Sequence, residues 1–131
     1  MNPDIHERAF LSIKRTIMDW AIKSLDVDEA QRTVGHLASR GIAELLTAHL
    51  HRTGKLPPGG FINHRWFRSR NLASAHLPAF PHREDLISDL VSLELECDKL
   101  AYGRPVTAEK LQQVVRIFIE LEKRLEELGR K

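Results

Sequence analysis

Apolar residues recur every three or four positions in four long stretches, the period of helices with one face turned inward. In the first, about residues 4–25, Phe10, Ile13, Ile17, Trp20 and Ala21 hold that spacing, and Pro3 suits a helix start. The second opens at Asp26-Val27-Asp28 and spans about 27–52, with Val34, Leu37, Ala38, Gly41, Leu45 and Ala48 as its stripe. Small residues at 38, 41 and 48 let a neighbouring helix come close. The third spans 83–102, with Leu86, Leu90, Leu93, Cys97 and Leu100 on one face and Gly103 placed to end it. The fourth spans 107–128, with Thr107 as N-cap and Leu111, Val114, Phe118, Leu121, Leu125 and Leu128 at helical spacing. No convincing strand pattern occurs. The pattern predicts one all-α domain over residues 1–131, a bundle of four long helices, antiparallel given the short 103–106 connection.

Between the second and third stretches the period breaks. The run GKLPPGG at 54–60 cannot continue a helix. Residues 54–82 read as irregular, with room for a short helical turn around 64–74. Four of the eight aromatics (Phe61, Trp66, Phe67 and Phe80) fall there, which argues for order. Phe61 and Phe67 are the expected anchors. Trp66, whose indole N–H needs a partner, is expected to be partly exposed.

Charge changes this picture. Residues 45–83 carry six Lys/Arg, no acid and five of the seven histidines. Residues 1–44 carry six basic and seven acidic side chains, and residues 84–131 eight and eleven. A basic block of this kind is a footprint for an anionic partner, or a loop that balances acidic helices of the same molecule. Within FINHRWFRSRN, Arg65, Arg68 and Arg70 are placed to neutralise phosphates, with His64 beside them. Trp66 or Phe67 would stack on a base, a surface suited to single-stranded RNA. The histidines would add positive charge as the pH falls.

Other chemistry is poorly supplied. One cysteine rules out an internal disulfide and a Cys-based zinc site. His49 and His51 point about 200° apart on a helix and cannot share a metal. HExxH, GxSxG and P-loop patterns are absent, so neither a metal nor a cofactor is implied. The charged start MNPDIHERAF and the lack of an 18-residue apolar run predict a cytoplasmic protein without a membrane span. EKRLEELGRK reads as a solvated helix end.

The stretch LECDKLAYGRPVT (95–107) carries a late helix into a charged-Leu-Ala-Tyr-Gly turn. With the chain length, two long N-terminal helices and a variable middle, this layout resembles the HEPN family (higher eukaryotes and prokaryotes nucleotide-binding). The resemblance implies an HEPN-like bundle that binds RNA or a nucleotide. In active members an arginine, followed after four to six residues by a histidine, cleaves RNA: the arginine holds the phosphate and the histidine handles the proton. By position those residues fall at Cys97 and Tyr102, with Asp98 as the intervening polar residue, so the implied nuclease is weak or lost. Asp98 and Tyr102, four apart on one helix face, remain candidate ligand contacts.

A literal pair at the family's spacing, Arg70 and His76, lies in the middle block and is the candidate catalytic pair. So loose a spacing also arises by chance among thirteen arginines and seven histidines. The resemblance further implies a homodimer and a toxin-like component of a two-protein system. Its partner would be a small nucleotidyltransferase able to modify a tyrosine, for which Tyr102 is the candidate. The alternative is a non-catalytic homodimeric protein-interaction module.

Overall fold

The structure, a computed structural model, describes residues 3–129. The first and last two residues of the predicted domain, including the end of EKRLEELGRK, lie outside the described residues. Helix α1 (Pro3–Arg15) continues through a π-helical stretch (Thr16–Ala21) and a last turn (Ile22–Ser24). Then follow α2 (Val27–Arg52), a 3₁₀ helix (His64–Arg68), α3 (Arg70–His76), α4 (Arg83–Tyr102) and α5 (Ala108–Gly129). The described residues form a helical bundle without a strand. It contains one helix more than the four long ones of the sequence pattern, the seven-residue α3 inside the 54–82 block.

Helix α2 sits at the centre, packed against α1, α4 and α5. Its second half is apolar nearly all round, and residues 41–50 are buried except for Glu44. A helix enclosed on several sides needs no polar face there. Asp26 caps its start by accepting a hydrogen bond from the Glu29 N–H at 2.9 Å. Its end is marked by Gly54, whose φ of 71° is a left-handed conformation that glycine adopts at no steric cost. Across the core, Phe10 of α1 and Phe118 of α5 stack with centroids 5.8 Å apart.

Two details depart from the pattern. The π-helical stretch puts extra backbone into one turn. Ile17 and Ala21 stay fully buried while Trp20 turns outward, 51% exposed, so it leaves the predicted apolar stripe. In the middle block Phe67 is fully buried as expected, but Phe61 is exposed. The second anchor is its neighbour Ile62, which is buried and donates its N–H to Thr47 Oγ1 at 2.9 Å. Burying Ile62 also satisfies a backbone donor, and the adjacent ring is left in solvent.

The turn after α4 is clamped by α2. Gln31, fully buried, donates to the carbonyls of Leu100 and Arg104 and accepts from the Val106 N–H. Arg32 donates to the carbonyls of Leu100, Ala101 and Gly103. The carbonyls at the end of α4 are thus met by α2, which leaves Asp98 and Tyr102 to face outward.

One buried polar group has a consequence for stability. Burial pushes the His49 imidazole below its ordinary pKa of 6.5, against an opposing pull from Glu126. The unfolded chain therefore takes up this proton at higher pH than the folded one. The stability due to neutral His49 is complete above pH 6.5 and is lost as the pH falls through the lower folded value. Thermal melts between pH 7.5 and 5 are expected to fall more steeply for the native chain than for His49→Gln. Parallel falls would contradict this role.

Candidate nucleic-acid interface

Three short segments meet in one cleft. From α2 come Gly35, His36, Ser39 and Arg40, which share a helix face by their spacing. The 3₁₀ helix supplies His64, Arg65 and Arg68. From α4 come Glu94, Cys97, Asp98, Ala101 and Tyr102, again at helical intervals of three and four. The 3₁₀ helix is held in place from both sides. Its Phe67 is buried beneath it, and Asn63 caps it by accepting from the Arg65 N–H at 2.9 Å.

Glu94 organises the interior of the cleft. It is only 4% exposed, and a carboxylate buried so far must be paired. His64 Nδ1 lies 2.8 Å from its Oε1, and Arg68 Nε lies 3.7 Å from its Oε2. With Nδ1–H donated to the carboxylate, Nε2 is the nitrogen His64 offers to a ligand. Arg40 and Arg65 are exposed at the rim, with no carboxylate partner among the described residues. Three arginines thus face two carboxylates, Glu94 and Asp98, and the balance is positive even with both histidines neutral.

Ser39 is 3% exposed, and its hydroxyl has no hydrogen-bond partner among the described residues. A hydroxyl left in this way inside a polar cleft is a ready ligand contact. The enclosed space is about 60 Å³, room for a small headgroup but not for a whole nucleoside. Cys97 is not a nucleophile here. Burial, with Glu94, Glu96 and Asp98 nearby, pushes its thiol up to about 12, so the reactive thiolate is absent near neutrality.

The residues expected from sequence divide into two groups. His64, Arg65, Arg68, Asp98 and Tyr102 all line this cleft. Tyr102 is largely exposed and meets the His36 ring edge-on, with centroids 5.3 Å apart. The second group lies outside it. Trp66 is half-buried and stacks on His76 with centroids 5.0 Å apart and planes 16° from parallel, so one face of the indole is already covered. Arg70 donates to Ser88 Oγ on α4. Six positions apart on a helix, Arg70 and His76 project about 120° from each other. Their side chains are engaged separately, one by Ser88 and the other by Trp66.

Sequence reasoning missed His36, Ser39, Arg40 and Glu94. Polar positions 36, 39 and 40 interrupt an apolar helix at one-face spacing, a signal that was available. Glu94 stands next to Leu93 on the inward side of α4, and its neighbour gives no sign that the carboxylate is buried. The chain matches no family model, no curated protein and no solved structure. Among the described residues, no helix is long and apolar enough to cross a membrane.

Proposed function

We propose that the protein is an HEPN-like helical bundle that binds single-stranded RNA or a nucleotide by a phosphate seated between α2, α4 and the 3₁₀ helix. The observation that carries this reading is the convergence of Arg40, Arg65 and Arg68 with two histidines around the unpartnered Ser39 hydroxyl. Charge-assisted hydrogen bonds from guanidinium groups are the strong way to hold a phosphate. The small volume admits the phosphate and leaves the sugar and base outside, along the rim that carries Tyr102 and Arg65.

The family resemblance supports the same place, because Cys97 and Tyr102, where it would put the working arginine and histidine, both line this cleft. The protonated thiol at Cys97 supplies neither a cation nor a base, so the reading is of a binder rather than a nuclease. Titration of the labelled protein with adenosine monophosphate, followed by amide NMR, tests the site. Shifts are expected at residues 35–40, 64–68 and 97–102, while adenosine, which lacks the phosphate, should produce none there. Shifts centred on Arg70 and His76, or equal shifts with both compounds, would contradict the assignment.

A further inference from the structure

A second hollow, of about 300 Å³, opens between the last turns of α2, the segment before α4 and the end of α5. Its walls are apolar: Leu46 and Leu50 from α2, Phe80 from the connecting segment and Leu128 from α5. Three polar side chains interrupt them: Thr53 and Lys55, both exposed, with the Thr53 hydroxyl donating to the His49 carbonyl, and the buried His49. His49 is 8% exposed and lines the hollow, and neither Nδ1 nor Nε2 has a hydrogen-bond partner among the described residues. Native interiors rarely leave both nitrogens of a buried imidazole unmet, because each orphaned group carries a desolvation cost.

We infer that this hollow binds a small phenol-class molecule, whose apolar body fills the space between Phe80 and the leucines and whose hydroxyl pairs with His49. Three features select that chemistry. A neutral imidazole presents one donor and one acceptor, and a hydroxyl can answer either of them. The depressed pKa of His49 keeps the ring neutral near pH 7. Glu126, whose charge acts on His49, disfavours an anionic head such as a carboxylate, and the one cation lining the hollow, Lys55, is exposed. Size agrees as well. An apolar cavity of about 150 Å³ accommodates a benzene ring, so the volume here takes a ring with a short alkyl chain. This site uses none of the residues of the phosphate cleft and can fail without affecting that reading.

The test compares 4-propylphenol with propylbenzene on the full chain, following the resonances of Leu46, His49 and Leu50 during titration. The phenol is expected to shift these residues saturably and to bind at least about tenfold more tightly than the hydrocarbon. His49→Leu should remove that preference. Phe80→Ala, on the segment between α3 and α4, should weaken the phenol several-fold while His49 stays in place, and it keeps the test open if His49→Leu does not fold. Equal affinity for the two compounds, or no saturable shift at these residues, would overturn the inference and leave His49 satisfied by water alone.

Discussion

Gly35→Ala is expected to cost about 1–2 kcal/mol of stability, the propensity gain set against the overpacking, although the same change favours an isolated helix. Replacing an interior helical glycine by alanine gains roughly 1 kcal/mol of propensity. Against that gain stands the crossing of α2 and α4. A Cβ at residue 35 would lie 2.8 Å from the Cys97 carbonyl oxygen, 2.9 Å from Ala101 Cα and closer still to the Ala101 nitrogen. All three are backbone atoms and cannot turn aside as a side chain does, so the two helices must separate. Overpacking of that kind costs about 1–3 kcal/mol and sometimes more, and here it outweighs the propensity term.

Gly41→Ala is the control. Its nearest obstacle, at 2.9 Å, is the Cγ2 methyl of Ile13, a stiff side chain but not backbone, so a smaller cost than for Gly35→Ala is expected. Urea denaturation of both variants checks the contrast. Equal stabilities would mean that the α2–α4 approach is looser than described. Because Gly35 lines the phosphate cleft, Gly35→Ala should also weaken the ligand, whereas Gly41→Ala should not.

The combined variant Arg40→Ala, Arg65→Ala, Arg68→Ala is expected to lower affinity for a single-stranded RNA by at least about 100-fold. Hydrogen bonds to charged groups contribute about 1.5–3 kcal/mol each, which for three would exceed that figure. The smaller estimate allows for exposure of these side chains and for the share of Arg68 already held by Glu94. Arg70→Ala should change affinity little, since its guanidinium is engaged with Ser88 outside the cleft. Arg40 and Arg65 make no ion pair among the described residues, and Glu94 keeps His64, its nearer partner, when Arg68 is lost, so the fold should survive and circular dichroism of the variant should match the native chain.

Much of this architecture was legible in the chain. The predicted bounds of the second and third long helices, 27–52 and 83–102, coincide with α2 and α4. Thr107 caps α5 as expected, accepting from the Lys110 N–H at 3.1 Å. Caps, breakers and apolar period are local signals, and they survive folding. The π-helical turn that rotates Trp20 outward leaves no such trace, because Phe10, Ile13 and Ile17 fit an ordinary helix equally well. The cleft was only half legible. The basic block announced His64, Arg65 and Arg68, and the late helix announced Asp98 and Tyr102. Nothing in the order of residues says that positions 36–40 come to lie against both. Arg70 and His76 stood out by spacing alone, and that spacing took no account of which way each side chain leaves a short helix.

The most direct test of the phosphate cleft is the anisotropy of a labelled single-stranded RNA with the full chain across a salt series. Each phosphate neutralised contributes a slope of about −0.7 in log affinity against log salt, so the one phosphate seated among the three arginines predicts about −0.7. In the Arg40, Arg65, Arg68 triple variant that slope should collapse towards zero, while Arg70→Ala should retain it. Absence of binding at low salt, or a slope that disappears with Arg70→Ala and persists in the triple variant, would contradict the account.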